Sequence, residues 1–285
     1  MNDLLPFLWT FFASSILAGA LAAAGAHLAS RQRTLQSLCL AQGAEMGALV
    51  SVFVAYISHD FLDRGDTWLG LGGSLLGALI AGAAASRIAG TQGSSRTPRL
   101  FAFWVALIAA THLSVSLHPA LESHLARVFL GDLGTLSDSE ALTIAGFGGF
   151  ALLVLVFKHS ALSRETFDLA ALGKKTARRN FTRSCISNGV PFLILPAIST
   201  WGAGFLFSCG LLFIPTAILA RSGDSSKHHV YLCLIVGAFS APIGLFLSLK
   251  GEQIPTVPAM VGVLVAACLC VCIARRSWQL VRVRL

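Results

Sequence analysis

Runs of roughly 20 apolar residues recur along the whole of this 285-residue chain, each long enough as a helix to cross a hydrocarbon layer about 30 Å thick. Nothing else in the sequence restricts the fold so strongly. Segments of this length in lipid must satisfy their own backbone hydrogen bonds, and among single segments only the α-helix does so. The composition agrees, since 55% of residues are hydrophobic and 12% charged, against a charged fraction of about 25% in water-soluble domains. The expectation is an all-α, polytopic membrane bundle forming one domain over residues 1–285, with no large soluble catalytic domain between its spans.

Nine spans can be drawn, at about 5–28, 35–57, 68–86, 100–117, 141–157, 185–203, 204–220, 229–249 and 256–274. The division at 203–204 rests on Trp201 and on Gly202-Ala203-Gly204 within one long apolar stretch, so eight spans are the alternative. Lys and Arg collect in cytoplasmic loops, and nine spans with the N-terminus outside sort them sharply. Arg31, Arg33, Arg87, Arg96, Arg99, Lys158, Arg164, Lys174, Lys175, Arg178, Arg179, Arg183, Arg221, Lys227, Arg275, Arg276, Arg282 and Arg284 then face the cytoplasm, 18 of 21, and the C-terminus lies inside. Only Arg64, Arg127 and Lys250 lie outside. The net charge of +8 is therefore a topology signal and does not mark a nucleic-acid partner.

The first apolar run has no basic segment before it and is expected to be a retained span, not a cleaved signal. Seven cysteines, an odd count without a C-x-x-C pair, suggest neither a disulfide framework nor a thiolate metal site. Span three, GLGGSLLGALIAGAAAS, has the small residues of close helix packing and is expected to be an inner or interface helix.

Few polar groups invite chemistry. Ionisable side chains within spans cost a few kcal/mol and mark a pathway or a polar interface. Glu45 in span two and His112 in span four are the clear cases, and Gln42 shares a helical face with Glu45 by its spacing of three. Ser37 and Asn188 add polar groups elsewhere. Imidazole, carboxylate and carboxamide together suit divalent transition-metal ions. On the outer side His118, Glu122, His124 and Asp132 fall in one short segment and would concentrate cations at a mouth. The longest polar connection, 158–184, is cytoplasmic. Its part from Glu165 to Lys175 has the pattern of a short amphipathic helix stopped by Gly173, fit to dock on a partner or to lie solvated on the membrane surface.

Other motifs fall away. LAALGKKT has Asp168 where a phosphate loop needs glycine and Lys175 where it needs Ser or Thr, so any ATP must be hydrolysed by a separate subunit. Ser58-His59-Asp60 is contiguous, and contiguous residues cannot form a catalytic triad. Asn180-Phe181-Thr182 is a glycosylation pattern on the inner side.

Four stretches taken in order carry a family resemblance: LAAAGAHLASRQRTL at the end of span one, FLGDLGTLSDSEAL before span five, FDLAALG in the long connection, and FLFSCGLLFIPTAILAR followed by LSLKGEQIPTVPAMVGV. The chain resembles the permeases of the zinc and manganese uptake branch of ATP-binding-cassette (ABC) transporters, with Pro215, Ala217, Arg221, Ser248, Pro255 and Pro258 in matching places. Span two departs: where the family resemblance calls for Gly-Asp-x-Leu-Ala-His, the chain has Ser37-Leu38-Cys39-Leu40-Ala41-Gln42. His112 matches a family-like histidine, and Glu45 offers a substitute carboxylate.

The resemblance implies a transport subunit of the bacterial inner membrane, without an ATPase site or bound cofactor. It would pass a divalent metal, zinc before manganese or iron, along Glu45, His112 and Gln42, with His118, Glu122, His124 and Asp132 at the mouth. Two copies would line the path within membrane lipid. A periplasmic metal-binding protein would deliver the ion, and a cytoplasmic ABC ATPase would engage Glu165, Phe167, Asp168, Leu169 and Gly173. The residues alone leave open an intramembrane enzyme with Glu45 and His112 as an acid–base pair, or a scaffold that no longer transports.

Overall fold

A computed structural model describes the chain apart from residues 1–6, 32, 58–65, 91–95, 132, 172–173, 221–224, 252–253 and 285, and describes side chains apart from these and residues 66–67, 90, 120, 123, 126, 165, 167–171, 174–188 and 278–284. Among the described residues every regular element is helical. In order they are α1 Leu8–Ser30, α2 Thr34–Ile57, α3 Asp66–Gly90, α4 Arg96–Leu117, α5 Glu122–Leu130, α6 Asp138–Phe157, α7 His159–Ala171, α8 Lys174–Ala203, α9 Phe205–Ile218, α10 Ser226–Lys250 and α11 Thr256–Arg284. Short 3-10 turns at Pro119–Leu121 and Leu133–Thr135 flank α5.

Each expected span falls on a helix. Seven of them, α1 to α4, α6, α10 and α11, are long and apolar enough to cross a membrane unaided, while the apolar part of α8, Gly189–Ala203, and α9 are shorter. The suspected break between these two is a reversal of the chain. Ser199 Oγ and Ser208 Oγ lie 2.6 Å apart, whereas residues nine apart in one continuous helix are separated by about 13.5 Å. The turn is made at Gly204 (φ 90°, ψ 160°), in a region that essentially only glycine occupies. Gly131, just past α5, has the same kind of conformation (φ 73°, ψ 157°) and packs backbone to backbone against Gly204.

The centre of the bundle is α1, where nearly every residue from Ala13 to Leu28 is buried. Its run of Ala and Gly removes side-chain bulk, so neighbouring backbones close in: a Cβ on Gly25 would strike Leu212 of α9, and one on Gly237 of α10 would strike Ala18. Ser15 Oγ donates to Ala238 O at 2.8 Å, an interhelical bond worth about 0.6 kcal/mol in a membrane. Of the two expected places for span three, the structure has the interface helix and not the inner one, and its outer side is not covered. Its small residues serve one side only, where Gly73 and Gly77 interlock with Gly43 and Gly47 of α2, while Leu76, Leu79 and Ile80 are exposed. Hydropathy alone does not separate α1 from α3, because both are apolar all round.

The long polar connection is also helical earlier than expected. No Gly or Pro occurs between Phe157 and Leu172, so the chain re-enters a helix directly after Lys158, and α7 starts at His159. One end of the bundle gathers Arg31, Lys158, α7, Lys227 and Arg275. The opposite end carries α5 and a capping box in which Ser137 Oγ accepts from Glu140 N and Glu140 Oε2 accepts from Ser137 N. This cap is a pattern of Ser followed three residues later by Glu, and it gives Glu140 a structural duty.

Candidate functional site

Glu45 stands midway along α2 and is 1% exposed, with Gln42 at 2% and Thr111 of α4 at 1%. The Gln42 amide donates to Glu45 Oε2 at 2.5 Å and reaches Thr111 Oγ1 at 3.5 Å, while the Thr111 hydroxyl donates to Leu107 O at 3.0 Å. Close approach of α2 to α3 at the glycine seam holds this face of α2 in register, and Cys209 of α9 lies within Coulombic reach of Glu45. Gln42 Oε1 is buried and finds no hydrogen-bond partner among the described residues. Buried acceptors are nearly always satisfied, and one left over beside a carboxylate marks a place for a proton donor, a water or a cation.

A cavity of about 160 Å³ opens between α2 and α4, lined by Met46, Leu49, Phe53, Thr111, Ser114 and His118 among others. It joins the level of Thr111, in the buried polar group, to His118 at the end of the bundle that carries α5. Its walls are mostly apolar, so an ion entering it would keep water until it met the polar group.

Of the sequence-predicted path residues, the structure unites Gln42 and Glu45 and leaves His112 apart. His112 is exposed, and its carbonyl accepts from Ser116 Oγ at 3.0 Å. The residue before it, Thr111, takes the inward place, which sequence reasoning missed because α4 is apolar all round and gives no periodic signal for its facing. The acid–base pairing of Glu45 with His112 therefore has no geometric support within one chain. At the end that carries α5, the His118 ring packs on Phe53 at 4.3 Å between centroids, Glu122 is exposed and His124 half-buried; Asp132 lies outside the described residues. No three His, Cys, Asp or Glu side chains converge on a metal-binding position among the described residues. Glu165, Phe167, Asp168 and Leu169 are on α7, but their side chains, Asn188 and Gly173 lie outside the described set.

Helices long enough to cross a membrane, a buried carboxylate midway through one and a cavity beside its neighbour Thr111 define a polytopic helical membrane protein with a polar interior. The profile of the ABC 3 transport family matches residues 7–275, and the chain belongs to that family. A solved structure, PsaBC from Streptococcus pneumoniae in complex with Fab, shares the fold with a TM-score of 0.71 at 17% identity, over 95% of this chain and 93% of that one. No curated protein matches the sequence.

Proposed function

We propose that this chain is the membrane-spanning permease of an ABC importer for a divalent transition-metal ion, worked by a separate cytoplasmic ATPase. The observation that carries the reading is the unsatisfied Gln42 Oε1 beside the buried Glu45 carboxylate, next to a cavity that runs from His118 as far as their neighbour Thr111. In a family of transporters, such a group inside the bundle is a resting place for a cation. Its immediate donors are oxygens, since Thr111 stands where His112 was expected. Oxygen donors suit manganese better than zinc, so manganese moves ahead of zinc as cargo.

The cation-rich end, with α7, faces the cytoplasm and the ATPase; the end with α5 faces a periplasmic metal-binding protein. A second copy of the chain would lie against the exposed face of α4, beside His112 and away from the oxygen donors. ATP-driven closure of the ATPases would then switch the permease between outward-open and inward-open states. The test is uptake of radiolabelled manganese and zinc, measured in parallel in vesicles holding the permease with its cognate ABC ATPase. The expected result is ATP-dependent accumulation, greater for manganese, that falls about tenfold or more with Gln42→Leu or Glu45→Ala. Full accumulation in both variants would remove this group from the path.

A further inference from the structure

At the cation-rich end, α1 and α7 are joined by polar contacts that neither helix needs in order to form. Arg31, the residue that caps the end of α1, follows His27 by four and falls on the same side, and His159, Leu162, Ser163 and Thr166 share one face of α7. Between these faces His27 Nε2 and His159 Nδ1 lie 3.3 Å apart, with the rings 5.1 Å apart between centroids. The Arg31 guanidinium donates to Leu162 O at 3.0 Å and to Thr166 Oγ1 at 3.3 Å. It also lies 5.6 Å from the centroid of the Phe192 ring of α8. His159 is held from its other side by Ser163 Oγ at 3.4 Å and faces the Tyr231 ring of α10.

The guanidinium spreads its fixed fork over a main-chain carbonyl and a hydroxyl of α7, and so holds the helix body. The histidine pair is buried, His27 at 2% and His159 at 6% exposed. The other face of α7, with Ser160, Ala161 and Arg164, is exposed and free to meet a partner. On its far side α1 is in backbone contact with α9 at Gly25 and with α10 at Ala18. Close-packed contacts of this kind pass displacement on with little give.

We infer that His27 and Arg31 are positioning residues that fasten α7 to α1, so that movement imposed on α7 from the cytoplasm reaches the centre of the bundle through α1. The inference rests on the proposed function, in that α7 must be the element the ATPase moves. The latch then serves coupling and not assembly.

The test compares wild type, His27→Ala, Arg31→Ala and Arg31→Lys as complexes with the ATPase in vesicles. Three quantities are read: co-purification of the ATPase, ATP hydrolysed, and manganese or zinc transported per ATP. The expected result for both alanine variants is wild-type co-purification with the ions carried per ATP reduced roughly three- to thirtyfold, and partial recovery in Arg31→Lys. Wild-type ratios in both alanine variants would overturn the inference. So would losses of co-purification and thermal stability that match the loss of transport, because these would make the contacts ordinary fold supports. Arg164→Glu, on the exposed face, separates the two levels: it is expected to weaken co-purification. If it does not, and wild type shows no ATP-dependent uptake, the parent reading fails and takes this one with it.

Discussion

Glu45 shows how a single residue can be costly to keep and still be retained. A carboxylate at the middle of a membrane helix is disfavoured by a few kcal/mol, and its amide partner Gln42 leaves an acceptor unsatisfied. Glu45→Leu is therefore expected to leave the thermal unfolding midpoint in detergent unchanged or raised, while metal uptake is lost; a clear fall in that midpoint would make Glu45 a packing residue. The shared face of Gln42 and Glu45 was legible from spacing alone. Thr111 was not, because one step along a helix turns the side chain by about 100°, and only packing against α2 decides which of two neighbours faces in. His159 carries a pH consequence. Burial first, and the Lys227 charge second, hold its pKa below the ordinary 6.5, and its neighbours His27 and Arg31 add no acid to offset this. The folded state then binds fewer protons than the unfolded one, so the stability this group contributes is complete above about 6.5 and lost as pH falls below it. Thermal melts between about pH 7.5 and 5.5 should show stability declining in acid, with a shallower decline in His159→Gln. Equal slopes would exclude His159 as the sensor.

At the scale of elements, the α8–α9 elbow is where the backbone is most constrained. Gly131 and Gly204 hold conformations that other residues adopt at a cost of about 1–3 kcal/mol, and a Cβ on either would strike the other's backbone. Gly204→Ala and Gly131→Ala should each lower stability by at least that amount, whereas Gly146→Ala, whose Cβ would meet nothing within 4 Å, should be neutral. Melting curves for the three variants decide it, and a neutral Gly204→Ala would contradict the reversal. The Gly-Ala-Gly sequence announced a break here but not its sense, since a kink and a turn-back use the same residues. The buried hydroxyls of Ser199, Thr200 and Ser208, which satisfy one another across the turn, became visible only once the helices were folded against each other.

For the molecule as a whole, the nine apolar segments were legible in the sequence and each falls on a helix. The distribution of Lys and Arg adds an expected sidedness, because each loop's charge is a local property of the sequence. The identity of the central helix was not legible, because α1 and α3 differ in what packs around them more than in their own composition. Sidedness is open to direct measurement. A cysteine placed at Ser160, in a background lacking the native cysteines, should react with a membrane-impermeant thiol reagent in inverted vesicles and not in intact cells, and one placed at Glu122 should do the reverse. Labelling of Ser160→Cys from outside would invert the whole scheme.

The brevity of α9 also bears on its place in the bilayer. Its 14 residues rise only about 21 Å, well short of the hydrocarbon layer that α1, α10 and α11 traverse beside it. A segment shorter than the layer is accommodated by local thinning of the bilayer or by packing among longer neighbours, and α9, whose Leu212 backbone meets Gly25 of α1, has the second recourse.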